Sequence, residues 1–276
     1  MIISQWLNEA SHTLQQSNVK SARLDGELIL AHTLRKQRTY LHAHGDDTIS
    51  DRHVEIANAR LELRKNHTPI AYIIGHKEFY GRLFKTTPAA LIPRPESETI
   101  ITIASDIISS KLSSSTEKIK LIDVGTGTGC LGITLQLEHP DIDVTLIDNS
   151  LHALNLAKEN AVLLKASVHP IKNNLLSDLT TPTDIIIANL PYVDKSWTVS
   201  PDTQFEPDEA LYASNGGLFL IFRLLDQATL TLKPGGYILI ESDPRQQNDI
   251  ITHAQSIRFT HIKTEGYVTV FSYSTN

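Results

Sequence analysis

The chain has 276 residues, 41% of them hydrophobic, which is enough for one or two globular domains with a sizeable core. No apolar run reaches the roughly 18 residues that a membrane-spanning helix needs, and the first residues lack the features of a secretory signal. We therefore expect a cytoplasmic protein without a membrane partner. The single cysteine, Cys130, excludes an internal disulfide, and the 12 histidines show no metal-ligand spacing, so no metal site is expected.

The net charge of −6 is unevenly spread along the chain. Residues 1–85 carry 12 Lys and Arg against 9 Asp and Glu, whereas the remaining residues carry 13 against 22. A protein that grips RNA through its phosphates is expected to show a concentrated basic face. This charge distribution weakly disfavours a nucleic-acid substrate.

The first 70 residues show the periodicity of a small helical bundle. Ser21 and Ser50 are suitable N-caps for the second helix and for a helix from about residue 51 to residue 66. Apolar residues recur at helical spacing in two runs, which are Trp6, Leu7, Ala10 and Leu14, then Leu24, Leu28, Ala31 and Leu34.

The pattern becomes extended between about Ile73 and Phe84, where Gly75 and Gly81 interrupt it. Three prolines between residues 88 and 95 then prevent a continuous helix. We place the junction between two domains in this region.

From Glu96 onwards, helix and strand patterns alternate. An apolar helix runs through Ile100 to Ile108, and the serine-rich stretch Ser109–Thr116 is expected to be an exposed loop. Short apolar runs predict strands at residues 120–124, 144–147, 184–188 and 237–240. This alternation is typical of parallel strands with helices on both faces.

The C-terminal pattern differs, because strand-like residues 259–264 and 267–273 are separated only by Glu265 and Gly266. Two residues can close an antiparallel hairpin but cannot form a parallel crossover. A Rossmann-like, mostly parallel sheet that ends in an antiparallel hairpin is the architecture of class I methyltransferases. We therefore predict an α/β fold of this class, preceded by a small helical bundle.

The first predicted strand meets a helix at a glycine-rich segment, where glycines let the backbone turn tightly and approach a ligand. The dinucleotide fingerprint GxGxxG would need a third glycine in place of Cys130, and the Gly-Lys-Ser/Thr of a P-loop is absent. The spacing GxGxG is the methyltransferase form. The predicted cofactor-binding residues of this segment are Gly125, Thr126, Gly127, Thr128 and Gly129.

Asp148 ends the second strand, 23 residues after Gly125, near the roughly 20-residue interval at which an acidic residue meets ribose hydroxyls. Its two oxygens can accept both hydroxyl protons, and the alternative role is a helix N-cap. Asn174 and Leu175 follow the third strand, where methyltransferases of this class recognise adenine through a polar group and an apolar neighbour. We predict that these three residues complete the cofactor site.

The fourth strand ends in Asn189, Leu190, Pro191 and Tyr192, and ligands bind at the carboxyl ends of strands in such sheets. An amide nitrogen is a poor nucleophile, so a site that methylates it must orient the amide and accept its N–H hydrogens. The Asn189 side-chain oxygen and the Leu190 carbonyl can supply two acceptors, and Tyr192 a flat face. Asn189 is also expected to border the cofactor. The alternative is a strand-ending turn that merely uses proline.

These motifs resemble those of the release factor glutamine methyltransferases. The resemblance covers nearly the whole chain in order, so it is more specific than any single motif. Besides the glycine segment and the Asn189 motif, the matching segments are Ile92–Glu98, Phe205–Pro207 with Ala210 and Leu211, Lys233–Gly236, and Glu241 leading to Gln246.

The resemblance implies that residues 1–72 form a helical substrate-recognition domain, 73–95 a hairpin or linker, and 96–276 the catalytic domain. It implies methyl transfer from S-adenosylmethionine, with S-adenosylhomocysteine as product, to the glutamine of the Gly-Gly-Gln loop in peptide chain release factors. Asn189 and the following carbonyl would bind that glutamine, and Gly125 to Gly129 with Asp148 would bind the cofactor. Arg94 and Glu98 are candidates for shaping the pocket, with an ordinary surface ion pair as the alternative.

Two positions depart from the family pattern. Leu190 replaces the first proline of Asn-Pro-Pro-Tyr, and Asn174 stands where an acidic residue usually contacts adenine. Asn-Leu-Pro-Tyr also occurs in ribosomal RNA adenine dimethyltransferases, although those enzymes do not normally carry the RPESE and FEP segments or a helical domain ahead of the catalytic core. Three alternatives stay open: a glutamine in a ribosomal protein, an adenine in RNA or DNA, and a non-catalytic binding module.

Overall fold

A computed structural model of the chain describes residues 1–112, 117–179 and 181–274. It contains two compact units, one of Met1–His76 with Val199–Phe205 and one of Lys77–Thr198 with Glu206–Asn276. The division after His76 falls inside the segment where we placed the junction. The sequence did not predict that residues 199–205, which follow the Asn189 motif, belong to the helical unit.

The helical unit packs around Trp6, which is buried and donates its indole Nε1–H to Asn58 Oδ1 at 2.8 Å. Ile73 and Ile74 are helical, so the extended segment begins at His76, after the left-handed residue Gly75. The helices of this unit are α1 (Ile3–Gln16), α2 (Ala22–Leu34), α3 (Arg38–Ala43), α4 (Asp51–Lys65) and α5 (Ile70–Ile74).

The buried face of α2 differs from the predicted one. Leu24 is 41% exposed, whereas Asp25 is buried. Asp25 Oδ2 accepts a hydrogen bond from Arg64 Nε at 2.7 Å, and Arg64 Nη1 forms an ion pair with Asp202 at 2.9 Å. A buried charge needs a partner of opposite charge, and apolar periodicity carries no information about such pairs.

The two predicted N-caps have different outcomes. Ser50 accepts a hydrogen bond from His53 N at 3.4 Å and caps α4 as expected. Ser21 precedes α2, but its hydroxyl donates to Asp25 Oδ2 at 2.8 Å and caps no backbone N–H. Ser21 therefore occupies the predicted N-cap position, but its hydroxyl binds the buried carboxylate of Asp25, which is a stronger partner than a backbone N–H.

A hairpin of β1 (His76–Phe79) and β2 (Arg82–Lys85) comes next, and all of its residues except His76 belong to the second unit. A seven-stranded sheet follows. The order in the large sheet is β5-β4-β3-β6-β7-β9-β8. Strands β3 to β7 are parallel, and β9 is antiparallel to both of its neighbours. The strands are β3 (Lys120–Val124), β4 (Asp143–Asp148), β5 (His169–Lys172), β6 (Thr183–Ala188), β7 (Leu232–Glu241), β8 (Phe259–Glu265) and β9 (Val268–Tyr273).

The predicted mostly parallel sheet with a terminal antiparallel hairpin is confirmed, with local differences. Tyr267 lies in the hairpin turn, and β7 begins at Leu232, five residues before the predicted start. Ser109 and Ser110 continue an α-helix and do not form a loop, while residues 113–116 lie outside the described residues. The helices of this unit are α6 (Glu98–Leu112), α7 (Cys130–Glu138), α8 (Leu151–Leu164), α9 (Asp208–Leu211), α10 (Phe219–Thr231) and α11 (Gln247–Ser256).

Both faces of the sheet are buried along its central strands β3 and β6, as their continuous apolar residues require. Along β6, Ile185 and Ile187 join the core that contains residues of α6 and α7, whereas Ile186 and Ala188 join the core that contains residues of α10 and α11. Consecutive strand residues point to opposite faces, so each strand contributes to both cores. Because strands β3 to β7 are parallel, their carboxyl ends lie together at one edge of the sheet.

None of the helices within the described ranges combines the length and the apolar character needed to cross a membrane.

Candidate active site

The glycine segment connects β3 to α7 and lies against the end of β4. Gly125 N and Thr126 N both donate to the Ile147 carbonyl, at 2.8 and 2.9 Å. Gly125 has a φ of +71°, and a Cβ added to it would lie 2.7 Å from Leu190 Cδ2. Glycine at this position thus allows both the left-handed turn and close packing against the Asn189 motif.

The two threonines of the segment, Thr126 and Thr128, are both buried. Thr126 Oγ1 donates to Asp123 Oδ2 at 2.6 Å, and Thr128 is buried. Gly129 forms the N-cap of α7. These three residues shape the loop that joins β3 to α7.

Asp148 holds the glycine segment from the end of β4. Its Oδ2 accepts a hydrogen bond from Gly127 N and its Oδ1 accepts one from Ser150 N, both at 2.9 Å. The N-cap of α8 is Ser150, which accepts from Ala153 N, so Asp148 is not the helix cap. Burial raises the pKa of Asp148, and the backbone hydrogen bonds partly offset that rise.

Asn174 and Leu175 lie beyond β5 and border the same cleft as Asp148. Asn174 is exposed, and its Oδ1 accepts a hydrogen bond from Arg223 Nη1 at 3.4 Å. Leu175 is buried with a left-handed φ of +55°. This backbone conformation costs a residue with a Cβ about 1–2 kcal/mol, so the surrounding contacts must impose it.

Asn189 follows β6 and is fixed by a residue far away in the sequence. Its Nδ2 donates to Ser97 Oγ at 2.9 Å, which leaves the side-chain oxygen as the free acceptor of the amide. Leu190 is 3% exposed and packs into the core on the α10 side. Pro191, like Asn189 and Leu190, borders the cleft that contains Asp148.

Tyr192 is held at both ends and packs against the core on the α10 side. Its hydroxyl donates to Glu241 Oε1 at 3.3 Å, and its carbonyl accepts from Gln246 Nε2 at 2.8 Å. Tyr192 lines neither of the two clefts at the glycine segment. The structure thus places it behind Asn189, and its ring is not a wall of either cleft.

Two clefts flank the glycine segment. The first has about 740 Å³ of empty volume, and the second has about 380 Å³. Gly125, Gly127 and Asn189 line both. The structure thus brings most of the predicted site residues together around one cleft, which is lined among others by Gly125, Gly127, Asp148, Asn174, Leu175, Asn189, Leu190 and Pro191.

Arg94 borders the second cleft and forms an ion pair with the buried carboxylate of Glu206. Glu206 also accepts a hydrogen bond from Ile92 N at 3.1 Å, so it connects two segments 112 residues apart. Glu98 instead accepts from Tyr80 N at 2.9 Å and supports the hairpin. Arg94 thus borders a cleft at the glycine segment, whereas Glu98 lines neither of the two clefts.

Sequence reasoning gave no role to Ser97, Glu206, Glu241 and Gln246, although all four lie in segments that carry the family resemblance. They contact the site through tertiary neighbours, so spacing along the chain does not reveal them. Across the described ranges, no group of three or more His, Cys, Asp or Glu side chains is arranged to hold a metal ion.

Comparisons with known proteins agree across both units. Residues 5–75 match the family described as PrmC N-terminal domain, and residues 97–223 match the methyltransferase small domain. The chain is 35% identical over 242 residues to the release factor glutamine methyltransferase of Deinococcus radiodurans, covering 87% of this chain and 85% of that protein. It is also 35% identical to the enzyme of the same name from Koribacter versatilis, with coverages of 87% and 86%.

The chain belongs to the release factor glutamine methyltransferase family. Its fold is also similar to the crystal structure of a methyltransferase from Pyrococcus furiosus, with a TM-score of 0.51 and 17% identity, covering 79% of this chain and 98% of that one. This likeness supports the class I methyltransferase fold.

Leu190 departs from the usual Asn-Pro-Pro-Tyr of this family, and the structure shows what the leucine contributes. Its side chain fills space beside Gly125, where an added Cβ would come within 2.7 Å. Pro191 still restrains the residue before it to extended geometry. A proline at this position would restrict the backbone, whereas the leucine side chain packs against the glycine segment.

Asp123, in the strand before the glycine segment, is fully buried and has a pKa raised to about 6 by burial, from a reference value of 3.8. Its Oδ2 accepts from Thr126 Oγ1 and from Gly132 N at 3.0 Å. Because the folded protein holds the proton more tightly than the unfolded chain, this group stabilises the fold below about pH 4, and that contribution is lost as the pH rises through 6.

We expect Asp123→Asn to remove this dependence, since the asparagine oxygen can still accept both hydrogen bonds. The difference in free energy of unfolding between variant and wild type should grow in favour of the variant by about 2 kcal/mol from pH 4 to pH 7. Urea unfolding of both proteins across that range is the measurement. Parallel stability profiles would contradict the assignment.

Proposed function

We propose that this protein transfers the methyl group of S-adenosylmethionine to the side-chain amide nitrogen of the glutamine in the Gly-Gly-Gln loop of peptide chain release factors, in the cytoplasm. Family membership supports this substrate. The observation that carries the proposal is the position of Asn189, which lines both clefts beside the glycine segment. A methyl donor in one cleft and an acceptor amide in the other would meet at this residue.

The residues of the first cleft fit S-adenosylmethionine. The cleft is lined by a few polar groups among apolar side chains, as small-molecule sites generally are. Each Asp148 oxygen accepts one backbone N–H and keeps acceptor capacity for a ribose hydroxyl. Leu175 offers an apolar surface and Asn174 an amide for adenine. When bound, this cofactor supplies an electrophilic methyl group on a sulfonium.

Asp148→Ala is expected to weaken S-adenosylmethionine binding by about 1.5–3 kcal/mol, the range for hydrogen bonds to charged groups. The reason is the loss of the ribose acceptor, together with the loss of support for Gly127 N. Binding to the wild type should also weaken as the pH falls through the raised pKa of Asp148. Calorimetric titration measures both effects. Asp141→Ala, an exposed change, is the control, and unchanged affinity of a folded Asp148→Ala protein would remove Asp148 from the site.

The Asn189 motif supplies the acceptor side of the reaction. With its Nδ2 bound to Ser97, Asn189 presents Oδ1 to one N–H of the substrate amide, and the Leu190 carbonyl takes the other. Two fixed acceptors orient the amide nitrogen and stabilise the positive charge that develops on it. Tyr192 supports the motif from behind. Positioning and electrostatics therefore account for the proposed catalysis without a covalent enzyme intermediate.

Methyl transfer from labelled S-adenosylmethionine to purified release factors, ribosomal proteins and RNA, assayed in parallel, tests this function. We expect label on folded release factors only, and mass spectrometry should locate one methyl group on the Gly-Gly-Gln glutamine. A release factor with that glutamine changed to alanine is the control. Label on a ribosomal protein would support the paralogous activity, and label on adenine alone would overturn the proposal.

We further propose that the helical unit recognises the protein substrate, through a basic cleft of about 1730 Å³ empty volume. No Asp or Glu lines this cleft, whereas three histidines and five other basic residues do, namely Arg35, Lys36, Arg38, Arg52 and Arg60. The small basic excess of residues 1–85, 12 Lys and Arg against 9 Asp and Glu, did not predict this concentration, because acidic residues elsewhere in the unit offset most of it. The charge argument against RNA is weaker for the same reason.

The basic cleft holds positive charge that the protein itself leaves uncompensated. Arg35 and Arg52 make no side-chain hydrogen bond or ion pair with a described residue, whereas Arg38 pairs with Glu27. Burial lowers the pKa of His32, and Arg60, His76 and Arg35 lower it further. Apolar residues share the lining, and no Phe, Tyr or Trp is present for base stacking. These features favour an acidic protein segment over single-stranded RNA.

Arg35→Glu with Arg52→Glu is expected to raise KM for the folded release factor by about tenfold or more, because opposite charges that attract would now repel. The affinity for S-adenosylmethionine should not change. The control is Lys20→Glu with Lys65→Glu, which changes the net charge by the same amount at two exposed residues outside the cleft. Equal KM values for the two double variants would contradict the assignment, and competition by RNA with no KM effect would favour a nucleic-acid ligand.

A further inference from the structure

Glu241 is a buried acid directly beside the Asn189 motif. It ends β7 and is 1% exposed. In the parallel pairing of β6 with β7, Ala188 lies opposite Ile240, so the next residues, Asn189 and Glu241, are neighbours. No Lys, Arg or His of the described chain comes within ion-pair distance of Glu241, and its Oε2 has no hydrogen-bond partner there. A buried carboxylate without a cation is costly for the fold.

The hydrogen bonds around Glu241 lead to the proposed amide-binding residues. Tyr192 OH donates to its Oε1 at 3.3 Å, and Ser97 and Asn189 lie close enough to the carboxylate to lower the pKa of Glu241. Asn189 in turn donates to Ser97 at 2.9 Å. The Tyr192 hydroxyl thus bonds the carboxylate directly, whereas Asn189 is held by Ser97 beside it.

We propose that Glu241 is a positioning residue for methyl transfer, which rests on the function proposed above. It binds the Tyr192 hydroxyl and, together with Ser97, keeps the N–H groups of Asn189 on the protein side, so the Asn189 oxygen faces the substrate. Its negative charge lies behind that oxygen, where it strengthens the acceptor as positive charge develops on the substrate nitrogen. This role explains why a carboxylate occupies a position where a neutral residue would cost the fold less.

The charged groups near Glu241 determine how its effect depends on pH. Burial raises the pKa of Glu241, Glu96 raises it further, and the hydrogen bonds from Ser97, Tyr192 and Asn189 oppose the rise. Burial and Glu241 raise the pKa of Tyr192, so this hydroxyl stays a donor. Burial also raises the pKa of the Cys130 thiol to about 12, so it stays neutral. Methyl transfer should therefore decline as the pH falls through the raised pKa of Glu241.

Glu241→Gln separates the charge from the shape, because glutamine keeps the size and one acceptor oxygen. We expect kcat to fall by about 10- to 100-fold. The decrease of kcat towards low pH should become smaller than in the wild type. The affinity for S-adenosylmethionine should stay within about twofold, and so should the affinity for release factor measured with S-adenosylhomocysteine present. The Tm should be unchanged or higher, since an uncompensated buried charge is removed. Glu265→Gln, at the exposed end of β8, is the matched control and should leave all of these values unchanged.

A merely structural role would lower the Tm of Glu241→Gln while leaving the pH profile of the folded enzyme unchanged, and this outcome would overturn the proposal. Equal kcat values for variant and wild type would also overturn it. The Tm measurement needs no substrate, so it tests the inference separately from the proposed function. If the wild type methylates another acceptor, the function proposed above fails, and the same kinetic series on that acceptor still tests Glu241.

Discussion

Asn189→Ala is expected to lower kcat for glutamine methylation by about 10² or more, by analogy with the removal of other groups that stabilise a transition state. The side-chain oxygen of Asn189 is the acceptor that the fold leaves free, because Ser97 already binds the amide nitrogen. Single-turnover rates with folded release factor measure the effect. Calorimetric titration checks that S-adenosylmethionine still binds, since Asn189 also lines the cofactor cleft.

Leu190→Pro is the informative partner of this variant, because it restores the usual family motif. The Leu190 carbonyl should keep its direction, since Pro191 restrains the residue before it, and kcat should stay within about an order of magnitude. The buried leucine side chain packs beside Gly125, so we expect a loss of stability from the lost packing. Loss of activity in folded Leu190→Pro with activity retained in Asn189→Ala would refute the amide-binding mechanism.

Gly217→Ala is expected to destabilise the second unit by roughly 3 kcal/mol or more and to abolish most activity. A Cβ at this position would lie 1.9 Å from the Tyr192 carbonyl oxygen and 2.4 Å from Gln246 Nε2. The backbone of the Asn189 motif would have to move, and the hydrogen bond from Gln246 to Tyr192 would break. Gly217 also has a φ of +84°, which adds strain to any other residue.

Gly216→Ala provides a control one residue away. Gly216 has a φ of +62°, but a Cβ there meets nothing within 4 Å. It should cost only the backbone strain, about 1–2 kcal/mol, and leave the Tyr192 carbonyl in place. Urea unfolding and methylation rates of both variants give the comparison. Equal effects of the two changes would mean that strain alone, and not contact with the Asn189 motif, explains the glycine.

The amino-acid sequence determined the features that depend on local patterns. The alternation of apolar runs and helical stretches was sufficient for the mostly parallel sheet, because both faces of such a sheet are buried. The two-residue gap near Gly266 predicted the terminal hairpin, since no crossover fits in two residues. The glycine spacing and the motif at Asn189 were placed at strand ends, and parallel strands bring such ends to one edge.

The tertiary structure alone decided which residues support that edge. Ser97 and Glu241 come together beside Asn189 only after the segment preceding α6 has assembled with β6 and β7, and 144 positions separate Ser97 from Glu241 along the chain. The buried face of α2 follows from the ion pair of Asp25 with Arg64, 39 residues away. Apolar periodicity reports the tendency of a segment to be buried, whereas these polar contacts depend on side chains that distant segments bring together.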